Sequence, residues 1–185
     1  TLKIREKARG PDHSETAAAR RNLVMLYERM GDPAKAAAIG RKTTKMNGPH
    51  SGISTPKLPT TPARPSGPSL SAQVAGLFNE GKYEEALPLA QRALEIRERL
   101  AGPDDPQVAA RLGALAQLHE AMGDYGKAEP LYERALTISE KVLGPDHPDT
   151  GDSLNNLAGL HESMGDYAKA EPLYQRALAI CEKVL

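Results

Sequence analysis

Two histidines that lie one 42-residue step apart are the first residues whose spacing suggests chemistry. His119 and His161 are each followed directly by a glutamate, at Glu120 and Glu162. Imidazole is a common metal ligand, and equivalent positions of a repeat protein can approach each other, so a two-histidine metal site is one interpretation. The alternative is that both histidines fill a packing layer. We favour packing, because no other carboxylate recurs beside both histidines, and we predict no metal and no cofactor.

The remaining residues give no pattern of catalytic groups. Cys181 is the single cysteine, and it stands where Ser139 stands one repeat earlier, with no basic residue obliged to lie beside it. The chain contains no glycine-rich phosphate loop, no nucleophile-elbow serine and no zinc-type spacing. We therefore predict that the protein is not an enzyme.

Overall charge and hydropathy exclude several classes of partner. The 24 basic residues balance 24 acidic ones, so no excess charge favours nucleic acid or an anionic membrane. No apolar run approaches the roughly 18 residues that a membrane-spanning helix needs. A lone cysteine forms no internal disulfide, which favours a reducing compartment, and we predict a cytoplasmic protein with no nucleic-acid and no membrane partner.

The element that positions these residues is a repeat. Residues 102–143 and 144–185 match at 28 of 42 positions without a gap, and residues 81–100 match the second half of the same unit. Apolar residues recur at steps of three and four in each half, which predicts two helices per unit. The first helix is predicted from about Pro106 to Met122, and again from Pro148 to Met164.

Capping residues support these boundaries. Asp105 and His147 precede the prolines and are predicted N-caps, while Gly123 and Gly165 are predicted to stop the first helices. Asp124 and Asp166 are then predicted to cap the second helices. Within the second helices, a proline falls about six residues from the start, and an interior proline costs about 3 kcal/mol, so we expect a kink or an irregular first turn. These prolines are Pro88, Pro130 and Pro172.

These positions give the chain a family resemblance. The phrase SLNNLAGLHESMGDYAKAEPLYQRAL and the 42-residue period are similar to the tetratricopeptide repeats of kinesin light chains and their bacterial relatives. The pattern of small and large residues rests on Leu154, Leu157, Ala158, Gly165, Ala170, Tyr174 and Ala177. The resemblance implies an all-α, right-handed superhelical solenoid of antiparallel helix pairs with a concave groove, binding of peptides or partner proteins, and no catalysis. The family usually has tyrosine where His119 and His161 stand.

Three regions are predicted along the chain. Residues 1–46 are a repeat out of register, typical of the end of an array. Residues 47–70 are a Pro/Ser/Thr-rich linker. Residues 71–185 form a three-repeat array, with a degenerate first unit at 71–101 and full units at 102–143 and 144–185.

The linker has proline at every third position from Pro56 to Pro68. This period is that of polyproline II and predicts a stiff spacer, while a ligand for a proline-recognising domain, oriented by Arg64, is the alternative. The open helical end near Leu185 could receive residues 1–46 from the same chain or from a neighbour. The second case predicts head-to-tail self-association through the repeat ends.

Comparison of the two full units locates a candidate binding surface. They differ mainly in the first helix, along one helical face, while the opposite face stays constant. Such variation is typical of a recognition surface, with free drift at a solvent-exposed face as the alternative. In the family this face is the concave one. The candidate partner-binding residues are Asp152, Asn155, Asn156, Ser163, Gly113, Ala114 and Gln117, with Arg21, Asn22, Met25 and Arg29 on the same face of the N-terminal unit.

The sequence thus predicts a protein–protein interaction scaffold that binds a peptide or partner protein in the groove lined by the first helix of each repeat. Asparagine side chains can both donate and accept hydrogen bonds to a peptide, and the arginines suit an acidic ligand. Two alternatives remain. One is an architectural, self-assembling repeat segment, and the other is the regulatory region of a larger signalling protein.

Overall fold

The computed structural model describes residues 14–40 and 69–183, which are helical apart from short turns. The linker predicted at 47–70, apart from its last two residues, lies outside the described residues, as do residues 1–13 and 41–46 of the predicted terminal repeat. Within the described ranges the helices are α1 (Ser14–Arg29), α2 (Pro33–Gly40), α3 (Leu70–Asn79), α4 (Tyr83–Ala101), α5 (Pro106–Ala121), α6 (Tyr125–Val142), α7 (Pro148–Ser163) and α8 (Tyr167–Lys183).

The ends of the first helices follow from local hydrogen bonds. The Asp105 side chain accepts the backbone N–H of Gln107 at 2.9 Å, and His147 Nδ1 accepts that of Asp149 at 3.1 Å. Two residues beyond the end of each helix lies a glycine, Gly123 or Gly165, with φ +79°, a conformation that L side chains rarely adopt. The predicted boundaries of α5 and α7 are therefore confirmed to within one residue.

The second helices begin differently from the prediction. Asp124 occupies the N-cap position of α6, but its side chain makes no capping hydrogen bond. Its carboxylate instead pairs with Lys127 Nζ at 2.9 Å, which holds the pKa of Asp124 below its usual range. Asp166 makes the equivalent pair with Lys169 at 3.0 Å. The predicted side-chain cap of α6 is wrong, because a lysine three residues on competes for the carboxylate.

Helices α4, α6 and α8 continue unbroken through the three interior prolines. Each proline lacks the N–H that would bond the carbonyl four residues earlier, at positions 84, 126 and 168. All three prolines and all three of these residues are exposed. Water can therefore bond the freed carbonyls, which lowers the cost of the missing bond relative to a buried site.

Packing of neighbouring helices forms an all-α solenoid of antiparallel pairs. The order of contact is α3, α4, α5, α6, α7, α8, α1 and α2, so the N-terminal pair follows the C-terminal helix in space. Leucines and alanines of the constant face are buried between the layers, as are His119 and His161. Met122, the predicted last residue of the first helix in its unit, lies at the C-cap of α5 and is exposed.

The junction between α8 and α1 joins parts of the chain that are distant in sequence. Arg20 of α1 pairs with Glu182 of α8 at 2.8 Å, although the two residues are 162 positions apart. The Tyr27 hydroxyl donates to Glu171 at 3.0 Å and accepts from Gln175 Nε2 at 2.9 Å. Of the two arrangements that the sequence left open, the structure has α1 packed on α8 of the same chain.

Candidate partner-binding surface

The residues predicted to bind a partner lie on the accessible side of the first helices. Asp152, Ser163, Arg21, Met25 and Arg29 are exposed. The others are half-buried, namely Asn155, Asn156, Gly113, Ala114, Gln117 and Asn22. None of these side chains belongs to the buried core. The face is therefore open to a ligand, while the constant face of the same helices is closed by packing.

Asn155 and Asn156 lie near the middle of α7, and Asn155 has an unsatisfied acceptor. Its Oδ1 atom is buried and has no hydrogen-bond partner among the described residues. A buried amide oxygen without a partner costs free energy, so such atoms in folded proteins normally bind water or a ligand. An asparagine in this position can accept a peptide N–H and donate to a peptide carbonyl.

The corresponding part of α5 offers space rather than polar groups. Gly113 and Ala114 of α5 stand at the positions that the two asparagines occupy in α7, and Gln117 stands at the position of Gly159. A Cβ added at Gly113 would meet no heavy atom within 4 Å, so the surface beside this residue is open. Gly159 is more crowded, since the Tyr174 hydroxyl lies 3.6 Å from the position of its absent Cβ.

Two of the predicted residues also connect adjacent first helices. Ser163 Oγ on α7 donates to Glu120 Oε1 on α5 at 3.3 Å. Arg29 on α1 pairs with Glu162 on α7 at 3.1 Å, with the arginine side chain about half exposed. Ser163 and Arg29 occupy equivalent positions of their units. Both side chains are therefore partly committed to holding the surface together.

Glu120 and Glu162 were not among the residues predicted from sequence to form this surface. Each accepts a hydrogen bond from a tyrosine of its own unit, Tyr132 or Tyr174, at 2.9 Å. Burial raises the pKa of both tyrosines far above the usual value, and the neighbouring glutamates raise it further, so the hydroxyls stay protonated donors. The recurrence of Glu and Tyr at 42-residue steps was the signal that could have identified them.

The N-terminal pair extends the surface with positive charge. Arg21 and Met25 are exposed on α1, and Asn22 lies between them, half-buried. Along the order α5, α7, α1 the surface therefore changes from small residues and one amide, through asparagines, to arginines. A ligand that follows this path would meet space for side chains first and cationic groups last.

The histidines occupy a packing layer in the structure. His119 and His161 are buried, and Tyr27 takes the equivalent place in α1. The Nδ1 atoms of both histidines have no hydrogen-bond partner in the described part of the chain. The Oδ2 atom of Asp124 lies 3.6 Å from Nδ1 of His119. Over residues 14–40 and 69–183, no group of three or more His, Cys, Asp or Glu side chains is arranged to hold a metal ion.

None of the described helices combines the length and the apolar character needed to cross a membrane. The longest, α4, carries glutamates and arginines along its whole length.

Solved structures with the same architecture are similar to this chain. BtubC (BKLC) from P. vanneervenii shares 22% identity with a TM-score of 0.54, over 91% of this chain and 56% of that protein. A Podosopora anserina kinesin light chain with nearly identical TPR-like repeats shares 23% identity with a TM-score of 0.55, over 98% of this chain and 82% of that one. A variant of the same Podosopora protein gives a TM-score of 0.56. At these identities the likeness concerns the fold, and the chain spans about half the length of the first of these proteins.

A search of curated protein sequences finds no match. The tetratricopeptide repeat family, in contrast, matches residues 1–47, 70–141 and 114–183, which together cover most of the chain. This match agrees with the stacked antiparallel helix pairs, the positive-φ glycines between paired helices and the buried small residues of the second helices. The chain belongs to the tetratricopeptide repeat family, and its 42-residue units share the fold of the kinesin-light-chain-like repeats in these solved structures.

Proposed function

We propose that the protein is an interaction scaffold that holds an extended peptide segment of a partner along the exposed side of α5, α7 and α1. Tetratricopeptide repeats generally mediate protein–protein interaction, and the fold is of a scaffold rather than a catalytic type. The observation that carries the peptide-binding proposal is the buried, unsatisfied Oδ1 atom of Asn155, whose side chain is half-buried on this surface. Rotation of the amide toward the surface would let a peptide N–H satisfy this atom.

Side-chain chemistry suggests how the segment would be recognised. Asn155 and Asn156 would bond the backbone of the peptide, which gives affinity with little dependence on its sequence. Arg21 and Arg29 would select acidic residues toward one end, because guanidinium groups bind carboxylates in a defined geometry. The proposal includes no catalysis, no nucleic acid or membrane partner, and a cytoplasmic location. It also keeps the sequence-based division into a terminal repeat at 1–46, a linker at 47–70 and an array at 71–185.

The test is a peptide selection followed by a charge change at the asparagines. A random peptide library is screened against the immobilised chain, and the affinity of the selected peptide is measured by fluorescence polarisation. Replacing both residues, Asn155→Asp with Asn156→Asp, should weaken binding at least tenfold, because the amide donors are lost and two negative charges are added. Far-UV circular dichroism should be unchanged.

A matched control carries the same charge change away from this surface. Thr137→Asp with Ala179→Asp alters exposed positions of the second helices and should leave the affinity unchanged. If the asparagine double variant binds the selected peptide as tightly as the parent chain does, the proposed surface is wrong.

The architectural alternative is favoured by one specific observation, the junction between α8 and α1. Because no short chain segment joins these two helices, the α1–α2 pair of one molecule could occupy the α8 face of another. Such an exchange would link copies head to tail through contacts already present within one chain. Three basic residues of the pair meet three glutamates of α7 and α8 at this junction: Arg20 with Glu182, Arg29 with Glu162, and Lys35 with Glu171.

Reversing one of these ion pairs tests the exchange. Arg20→Glu in one chain and Glu182→Arg in a second chain each place like charges at the junction within a single molecule. Mixed together, the two chains can restore both pairs only between molecules. Light scattering after size exclusion should then show a dimer in the mixture and monomers in the separate samples. A mixture that remains monomeric would exclude exchange through this junction.

A further inference from the structure

Equivalent positions at the three junctions between units carry different chemistry. At the junction of α6 and α7, Ser139 and Ser153 face each other with their hydroxyl oxygens 3.2 Å apart. One unit earlier, at the junction of α4 and α5, the same two positions are Arg97 and Arg111. At the junction of α8 and α1 they are Cys181 and Ala19. One junction therefore places two cations where another has a pair of neutral hydroxyls.

Only one of the two arginines has a carboxylate partner. Arg97 Nε donates to Asp105 Oδ1 at 3.0 Å, and its Nη2 atom lies 2.9 Å from the same oxygen. Asp105 Oδ1 also accepts the backbone N–H of Gln107 at the start of α5. This carboxylate is thus already shared between a guanidinium group and a helix N-terminus.

Arg111 makes no hydrogen bond or ion pair with any of the described residues, although it is half-buried. Burial lowers its pKa from the usual value, and the like charge of Arg97 lowers it further. Two carboxylates that neighbour Arg97 and Asp105 in the sequence have other partners, since Glu98 pairs with Arg134 and Asp104 with Lys141. A half-buried cation beside a second cation is costly unless an anion compensates it.

We propose that Arg97 and Arg111 form a binding site for an oxyanion, either a phosphate group or a carboxylate. Arginine suits this role because its planar fork of N–H donors matches the oxygens of both groups. Arg97 keeps its orientation through Asp105, which leaves the unpaired guanidinium of Arg111 to take most of the contact. The site is distinct from the asparagine surface, because Arg111 lies on the flank of α5 that faces α4. It does not depend on the peptide-binding proposal.

Inorganic phosphate is the first probe. The melting temperature of the full chain is measured against phosphate concentration at constant ionic strength, with chloride as the replaced anion. A bound anion stabilises the folded state by mass action, so the melting temperature should rise by about 3–6 °C when phosphate exceeds its Kd tenfold. Arg111→Ser, which installs the residue of the next junction, should abolish this rise. In chloride alone the variant should melt at a higher temperature than the parent chain, because the uncompensated cation is gone.

The control is Arg92→Ser, which removes the same charge from an exposed position of α4 and should retain the full phosphate response. An equal response of the parent chain and of Arg111→Ser would overturn the proposal. So would a lower melting temperature of Arg111→Ser in chloride combined with an unchanged phosphate response.

Two short peptides distinguish the sources of the oxyanion. One carries a phosphoserine and the other carries glutamates at the same positions, and binding of each is measured by isothermal calorimetry. Tighter binding of the phosphoserine peptide, lost in Arg111→Ser, would assign the site to phosphorylated partners. Tighter binding of the glutamate peptide, lost in the same variant, would assign it to acidic segments. Binding of neither, with the phosphate response intact, would assign it to free phosphate.

Discussion

The junction of α6 with α7 and the junction of α8 with α1 are built alike, although only the first is connected by a short piece of chain. In both, a first helix packs on the preceding second helix through the same positions of the unit. The contact between Ser163 and Glu120 across α5 and α7 reappears as the contact between Arg29 and Glu162 across α7 and α1. The register of stacking is therefore encoded in the surfaces of the units and does not require chain continuity.

The two junctions differ in how much charge holds them. At the α6–α7 junction a neutral serine pair lies between the two helices, and one ion pair, Arg176 with Glu140, joins the units through α8 and α6. At the α8–α1 junction, basic residues of the N-terminal pair meet glutamates of the preceding unit, and the side chain of Arg20 is only 8% exposed. A short turn keeps the α6–α7 contact at high effective concentration, whereas the α8–α1 contact has no such turn to support it. We infer that charge complementarity compensates for the missing connection.

The largest expected effect on stability comes from truncating a core leucine of the first helix at either of the two junctions. Leu23→Ala in α1 and Leu157→Ala in α7 change equivalent buried positions, and each should cost about 2–5 kcal/mol. Leu23→Ala should release the α1–α2 pair alone, because no chain turn holds it in place. Native-state hydrogen exchange should then accelerate in residues 14–40 while α5 and α6 keep their protection.

Leu157→Ala should instead lower protection throughout the central units, since α7 is packed on both sides. If Leu23→Ala lowers the protection of α5 and α6 as much as that of α1, the N-terminal pair is not a separable unit.

The next effect concerns the buried tyrosine hydroxyls. Tyr27→Phe removes the hydrogen bonds to Glu171 and Gln175 across the α8–α1 junction, and Tyr132→Phe removes the bond to Glu120 within one unit. Hydrogen bonds to charged groups contribute about 1.5–3 kcal/mol, so both variants should be destabilised by a similar amount in urea unfolding. Only Tyr27→Phe should also accelerate exchange in α1. Unchanged exchange in α1 would mean that this bond adds nothing to docking.

Smaller effects are expected where the contacts between first helices are exposed. Arg29→Ala removes the ion pair with Glu162, and Ser163→Ala removes the hydrogen bond to Glu120. Exposed ion pairs contribute about 0–1 kcal/mol, so each variant should shift the urea midpoint only slightly. A high salt concentration should reduce the effect of Arg29→Ala and leave that of Ser163→Ala unchanged. A loss above about 2 kcal/mol for either variant would show that this contact is a main support of the surface.

The smallest effect is a pH dependence at the junction of α4 and α5. Burial disfavours the charged form of Asp105, but the hydrogen bonds from Arg97 and the Gln107 N–H outweigh it and hold the pKa below its usual range. A lowered pKa in the folded state means that the stabilisation is present above the unfolded value of about 4 and is lost as pH falls through the folded value.

Asp105→Asn should therefore unfold more easily than the parent chain at pH 6, with the difference shrinking below pH 4. Midpoints of unfolding in guanidinium chloride, measured for both chains from pH 6 to pH 3, check this expectation. A difference that grows as the pH falls would contradict the assigned direction of the pKa shift.

Much of the fold followed from local patterns in the sequence. The 42-residue period, the N-caps Asp105 and His147 and the stop glycines located the first helices to within one residue, because each depends on groups a few positions apart. The side-chain cap at Asp124 was predicted wrongly, since a lysine and a backbone N–H compete for one carboxylate and spacing alone does not choose between them. The face of the first helices that varies between the units is exposed or half-buried in the structure, and its role in binding stays a prediction.

Contacts between units were harder to predict. Glu120 and Glu162 recur with the period, yet their bonds to the tyrosines and to the neighbouring first helix depend on how the units are stacked. The same holds for Arg111, whose lack of a partner becomes visible only when its neighbours and their own ion pairs are known. A sequence gives the charges of such groups but not the distances between them.

By itself, the sequence determined that this protein is made of helix pairs, where each pair begins and ends, and which faces are apolar. These properties arise from hydrogen bonds and side-chain periodicities within one or two turns of helix. Only the tertiary structure decided that the pair α1–α2 follows α8. The end of every second helix offers a similar face, and residues on the two sides of this contact are separated by more than a hundred positions. The choice therefore depends on complementary packing and charge between surfaces, which no local pattern records.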